Sequence, residues 1–268
     1  MKLNEFFHQY AVFTLEELDR FLEEKGEFNS HTRNALLSYH KENGRIISVR
    51  RGLYAVVPVG ASPETCPVDP YLLAAKMVKD AVLAYHTALE FHGRSYSLYQ
   101  RFCYLSKRRS LPVVFRSYEF LGVGMPQSLR KKGKEMFGVD RVERSGIDLM
   151  VTSLERTLVD VLDRPDLSGS WEEIWRSLES TEYFDLDKVI EYVLLLGNAT
   201  TAAKVGFFLD QHRESLMVED VHLKALLDFR PRQPHYLERA KRKAGRLVKA
   251  WNLVVPEEIL NRSWGEVL

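Results

Sequence analysis

Apolar residues along the first sixty positions fall into short blocks whose spacing changes from helical to strand-like. Leu3 to Tyr10 reads as a first helix, and Leu15, Leu18, Phe21 and Leu22 repeat at three-to-four spacing behind Thr14. Thr14 and Glu17 have the spacing of a capping box, which fixes where that second helix starts. A third stripe, Ala35, Leu36, Leu37 and Tyr39, predicts a helix capped by Ser30, with Lys41 in its last turn and Gly44 supplying the positive φ that ends it. Ile46, Ile47 and Val49 then lead into Arg50-Arg51-Gly52 and Leu53 to Val57, a β-hairpin with two arginines in its turn. Three short helices followed by a hairpin predict a winged helix-turn-helix over residues 1–58.

Pro58, Gly60, Pro63, Pro67 and Pro70 then break the pattern, so residues 59–70 read as a linker and 71–268 as a second domain. Helices are predicted over Tyr71 to Lys79 and Thr87 to His92, followed by strands at Phe102 to Leu105, Val113 to Phe120, Met136 to Val139 and Ile147 to Val151. The basic stretch Arg130 to Lys134 reads as a turn between strands, and Val151 to Asp160 turns a strand into a helix. A helix from Trp171 to Leu178 precedes a run from Asp185 to Leu227 whose apolar spacing is helical throughout, as in a compact bundle. The expected fold is α+β: the winged helix, then a larger domain with a small sheet to about residue 180 and helices beyond.

Charge refines this picture locally. The whole chain of 268 residues carries a net charge of +1, which makes no bulk claim about nucleic acid. Residues 1–30 hold three cations against seven acids, net −4, while residues 31–51 hold five against one, net +4. An acidic supporting half and a basic presenting half suit a module that shows one face to a polyanion. Outside its apolar stripe the third helix carries Ser30, His31, Thr32, Arg33, Asn34, Ser38 and Lys41, side chains that can read base edges or hold phosphates. Arg50 and Arg51 at the hairpin turn are candidate phosphate or minor-groove contacts. An amphipathic helix also needs some polar outer face, and arginines at hairpin tips are commonly solvated, so each residue taken singly stays open. Residues 230–249 hold eight cations against one acid, net +7, and Arg239, Lys241, Arg242, Lys243 and Arg246 are candidates for further phosphate or partner contacts.

Other chemistry is thin. Cys66 and Cys103 stand outside any metal-ligand spacing, and His86 and His92, six residues apart, do not share a helix face or have a partner cysteine. Glu155 and Asp160 resemble a nuclease carboxylate pair, but Arg156 and Asp160 at i,i+4 form the simpler ion pair. Gly122-Val123-Gly124 runs into Met125-Pro126 without completing a phosphate loop, and no Gly-x-Ser-x-Gly elbow occurs. No 18-residue apolar run and no signal-like N-terminus are present. These features favour a cytoplasmic binding protein over an enzyme, with no cofactor, no metal and no membrane partner.

Three phrases carry a resemblance over most of the chain: Arg50-Arg51-Gly52-Leu53-Tyr54; Tyr85-His86-Thr87-Ala88-Leu89-Glu90-Phe91-His92-Gly93; and Thr152-Ser153-Leu154-Glu155-Arg156-Thr157-Leu158-Val159-Asp160 with Asp163-Arg164-Pro165 behind it. In this order they resemble the AbiEi-type antitoxins of type IV toxin–antitoxin systems. The resemblance implies an N-terminal winged helix that binds inverted-repeat operator DNA and represses its own operon. It also implies a C-terminal domain that counters a nucleotidyltransferase-like toxin, directly or indirectly. The family's DNA contacts carry over to the polar face of the third helix and to Arg50 and Arg51, whereas Glu155, Arg156 and Asp160 carry over as fold-holding residues. A stand-alone regulator whose second domain senses a ligand or dimerises remains the alternative, and metal-dependent cleavage of DNA would be the mark of a nuclease.

Overall fold

The structure, a computed structural model, describes residues 3–26, 29–238 and 245–264. It is a mixed α+β chain in which helices pack with several small sheets. In chain order the first elements are α1 (Leu3–Gln9), β1 (Val12–Thr14), α2 (Leu15–Glu24), α3 (Ser30–Glu42), β2 (Ile46–Arg50) and β3 (Leu53–Val56). Next come α4 (Pro70–Ala75), β4 (Val82–Leu83), α5 (His86–Phe91), β5 (Arg101–Ser106), β6 (Val113–Phe115), β7 (Tyr118–Gly124), α6 (Gln127–Lys132), β8 (Val139–Arg144) and β9 (Ile147–Thr152). The last are α7 (Leu154–Asp163), α8 (Trp171–Glu179), α9 (Leu186–Leu196), α10 (Ala199–Gln211), α11 (Asp220–Phe229), β10 (His235–Tyr236), β11 (Arg246–Val248), β12 (Leu253–Val255) and α12 (Glu257–Leu260).

The chain packs as two compact units, cut differently from the expected 1–58, 59–70 and 71–268: Met1–Leu83, Gln100–Val123 and Arg141–Met150 form the first, and Ala84–Tyr99, Gly124–Asp140 and Val151–Leu268 the second. Pairing, rather than the proline-rich stretch, explains the difference. Backbone hydrogen bonds within a six-stranded sheet, ordered β6-β7-β5-β4-β9-β8, draw distant segments into the first unit.

The first unit opens with α1, α2 and α3 around Phe6, Phe13, Leu18, Leu22 and Ile46, closed by an antiparallel sheet ordered β1-β3-β2. Its second helix starts as its sequence predicts, since Glu17 accepts the Thr14 N–H at 2.8 Å and Thr14 Oγ1 accepts the Glu17 N–H at 3.3 Å. The expected single strand from Val113 to Phe120 is a tight hairpin instead, β6 and β7, turned at Arg116 with φ 54°.

In the second unit α7 to α11 and β12 enclose one core that includes Trp171, Trp175, Tyr192, Phe208 and Trp251. Two expectations change here. The basic stretch Arg130 to Lys134 is the end of α6, closed by Gly133 at φ 62°, and the segment past residue 230 adds a small sheet ordered β10-β12-β11 in place of helices alone. Strands of two and three residues carry too few alternating positions to register as a period.

Candidate nucleic-acid interface

α3 is seated by only one edge. No residue in it is fully buried; Arg33, Leu36, Leu37 and His40 are half-buried, at i, i+3, i+4 and i+7. Ala35 and Tyr39, expected in the buried stripe, are exposed, Tyr39 by 61 %. The apolar stripe is therefore only two leucines long, and polar residues at both ends complete it. Arg33 Nη1 donates to both Asp19 oxygens, at 2.9 and 3.2 Å, and His40 meets the Phe7 ring edge-on at 5.0 Å. Burial and then the Arg45 charge lower the His40 pKa, so the imidazole packs in its neutral form.

The cap also differs from expectation. Asn29 precedes the helix in extended conformation and its Oδ1 accepts the His31 N–H at 2.8 Å, leaving Ser30 as the first helical residue. Ser30, His31, Thr32, Asn34, Ser38 and Lys41 are all exposed, so every predicted contact residue on α3 except Arg33 faces solvent. Arg33 is turned towards α2, where it balances part of the acidic half of the module.

The hairpin separates its two arginines. The Gly52 carbonyl accepts the Leu15 N–H at 3.0 Å, which ties the turn to the start of α2, and Arg50 Nη2 donates to the Met77 carbonyl. Arg50 is thus occupied within the protein, while Arg51 is exposed and has no ion-pair partner among the described residues. The same edge carries Lys76 on Glu17 at 2.6 Å and Lys79 on Glu16 at 2.7 Å. Of the second basic cluster, Arg239, Lys241, Arg242 and Lys243 lie outside the described residues, and Arg246 is exposed at the start of β11.

Two buried networks of titratable residues lie in the second unit. His86 stacks on Tyr99 with centroids 3.9 Å apart; its Nε2 lies 3.0 Å from Glu173 Oε1 and its Nδ1 3.5 Å from Glu90 Oε2. Burial opposes the imidazolium, but the two carboxylates outweigh it and raise the pKa. Burial likewise opposes ionisation of Glu173, yet His86 and Ser97 hold its pKa down to about 2. The second network is Arg156, whose Nε lies 3.3 Å from Asp160 Oδ2 and whose Nη1 donates to the Glu135 and Phe137 carbonyls, with Tyr192 Oη donating to Asp160 Oδ1 at 2.6 Å.

Glu155 takes no part in that network; it accepts the Asp185 N–H at 3.3 Å, so the two carboxylates of the nuclease alternative serve separate partners. His92 Nε2 lies 2.8 Å from the Thr152 carbonyl, joining the two phrases of the second unit that carry the family resemblance. No group of three or more His, Cys, Asp or Glu residues is placed to hold a metal ion among the described residues. A cavity of about 860 Å³, lined in part by Asp163, Asp166, Trp171, Lys204, Glu258 and Trp264, lies in the same unit. Among the described residues no helix is long and apolar enough to cross a membrane.

With this geometry in view, similarity to known proteins lies in the fold. The RV2827C protein from Mycobacterium tuberculosis has a similar crystal structure, with a TM-score of 0.63 over 97 % of this chain and 92 % of that one, at 19 % sequence identity. No family model and no curated protein matches the chain.

Proposed function

We propose that α1 to β3 form a winged helix-turn-helix that binds double-stranded DNA through the outer face of α3, and that the chain is an autoregulating repressor of the AbiEi antitoxin type. The observation that carries the DNA-binding reading is the outer face of α3: Ser30, His31, Thr32, Asn34, Ser38 and Lys41 stand exposed together, in the unit whose hairpin turn presents Arg51. Asn34 suits adenine and His31 or Ser38 suit either purine edge, while Lys41 and Arg51 supply phosphate contacts. Inverted-repeat operator DNA is the expected ligand, bound by two winged helices spaced by whole helical turns. The antitoxin half rests on the two phrases Tyr85 to Gly93 and Thr152 to Asp160, and its partner is a nucleotidyltransferase-like toxin encoded alongside.

Binding curves on the protein's own upstream DNA and on random duplex test this reading. Replacing His31, Asn34 and Ser38 together with Ala should remove the preference for upstream DNA, at roughly 1–3 kcal/mol for each base-reading side chain removed, and leave the random-duplex curve in place. Wild-type protein that binds both duplexes equally would refute it. The cavity beside Trp171 favours a second reading, a stand-alone regulator whose second unit senses a small molecule. The adjacent reading frame separates the two, since only the antitoxin requires a toxin there, and growth rescue on co-expression tests that pairing.

A further inference from the structure

The loop between β5 and β6 carries Lys107-Arg108-Arg109, all exposed and without an ion-pair partner among the described residues. A basic turn is ordinarily free in water; this one is mounted. Asp80 Oδ2 accepts the Lys107 N–H at 2.8 Å, the Ser106 hydroxyl donates to the Arg108 carbonyl, and Ser110 Oγ lies 2.8 Å from the hydroxyl of the buried Tyr104. Ser110 N–H reaches the Gly122 carbonyl at 3.4 Å, and a Cβ on Gly122 would fall 2.0 Å from Ser110 Oγ, so the loop fits against β7 only because that position lacks a side chain. The backbone is fixed at both ends while the three cations point into water.

Its position in the first unit matters equally. Met77 accepts Arg50 from the hairpin and Asp80, three residues on, accepts Lys107 from the loop. Three residues span at most about 11 Å, so the backbone positions whose groups accept Arg50 and Lys107 lie within that distance of each other. Lys79 between them is spent on Glu16 at 2.7 Å, leaving Arg51 on one side and the loop on the other as free charge.

We propose that Lys107, Arg108 and Arg109 form a second phosphate-binding loop that extends the DNA interface from α3 and the hairpin turn onto the six-stranded sheet. The proposal rests on the DNA-binding reading above and adds to it a backbone contact indifferent to sequence. Such a loop contributes affinity through counterion release and leaves base preference to α3.

The test compares full-length wild type with the Lys107→Ala, Arg108→Ala, Arg109→Ala triple variant, in salt titrations on upstream DNA and on random duplex. Three phosphate contacts predict a salt slope shallower by between about 2 and 3 on both duplexes. Between about 50 and about 200 mM salt the wild type should then lose roughly forty-fold more affinity than the variant, with the preference for upstream DNA unchanged. A charge-conserving variant, Lys107→Arg, Arg108→Lys, Arg109→Lys, should keep the wild-type slope, and equal thermal midpoints verify that all three proteins are folded. Coincident curves for wild type and triple variant overturn the loop while leaving the α3 reading intact, and would assign these cations to solvent or to a protein partner. A wild type with no sequence preference but a variant with a shallower slope sinks the α3 reading and keeps the loop. No DNA binding by the wild type overturns both.

Discussion

One guanidinium nitrogen of Arg33 sits between the two carboxylate oxygens of Asp19, at 2.9 and 3.2 Å. The pair is mostly shielded, with 19 % and 25 % of its side chains exposed, and it holds α3 against α2 where the leucine stripe gives out. A double-mutant cycle on Arg33→Ala and Asp19→Ala should show a coupling of about 1 kcal/mol in chemical denaturation. Arg33→Ala should weaken binding to every duplex alike rather than relax base preference. A change confined to one base position would instead mean that Arg33 leaves Asp19 to read DNA.

The His86–Glu173 pair makes the second unit sensitive to pH at both ends. Glu173 has its folded pKa depressed to about 2 from 4.5, so its contribution is present above pH 4.5 and is lost as pH falls towards 2. His86 has its folded pKa raised above 6.5, so its contribution is present below pH 6.5 and is lost as pH rises through the raised value. His86→Gln should therefore flatten the decline in unfolding free energy above pH 6.5, as measured by denaturant midpoints across a pH series. Glu173→Ala should cost more, about 3–5 kcal/mol, because it leaves the buried imidazole with Glu90 as its one carboxylate neighbour and frees the Ser97 N–H that Glu173 accepts at 3.0 Å.

Gly206 in α10 decides a contest between helix propensity and packing. Alanine in a helix interior is favoured over glycine by roughly 0.5–1 kcal/mol, but a Cβ here would fall 2.1 Å from Trp251 Cζ3. Trp251 is 1 % exposed and its Nε1 donates to Asp210 at 3.2 Å, so the ring has no room to withdraw. Gly206→Ala should destabilise the protein by about 1–3 kcal/mol and alter tryptophan fluorescence in the folded state. A higher melting temperature would contradict this packing.

Arg156 is wholly buried and donates to two carbonyls as well as to Asp160. Arg156→Ala should lower stability by about 3–5 kcal/mol, since burial already raises the Asp160 pKa and the carboxyl must then take up a proton or stay buried unpaired, while the Glu135 and Phe137 carbonyls lose their donor. If these residues serve the fold alone, Asp160→Asn should leave operator affinity unchanged in protein that remains folded. Metal-dependent cleavage of DNA by wild type, lost in that variant, would restore the nuclease alternative.

The local signals reach as far as a single element. Thr14 with Glu17 is a cap closed over four residues, so it is complete in the sequence, and the same holds for the leucine pair of α3 and the Arg50-Arg51-Gly52 turn. The i,i+4 geometry of Arg156 and Asp160 is legible for the same reason, because a helix alone brings those positions together. The stripe of α3 departs from its apolar pattern at both ends, where Arg33 and His40 are covered by partners, Asp19 and Phe7, that lie 14 and 33 positions away in the chain.

Sequence by itself determined most of the helices, the Thr14 cap, the first hairpin, the polar set on α3 and the separation of acidic from basic charge in the first fifty residues. Only the tertiary structure decided which of those charges remain free. Arg50 and Arg51 are neighbours of one residue type, yet Met77 claims the first and no acid among the described residues claims the second; Lys107-Arg108-Arg109 carries no pattern, yet Asp80, three residues from Met77, holds its backbone. Propensity and capping act between residues a few positions apart, whereas ion pairing and backbone acceptance are settled by whichever group folding brings within about 3 Å. For Asp80 and Lys107 that proximity arises from the antiparallel pairing of β4 with β5, which joins segments more than twenty residues apart.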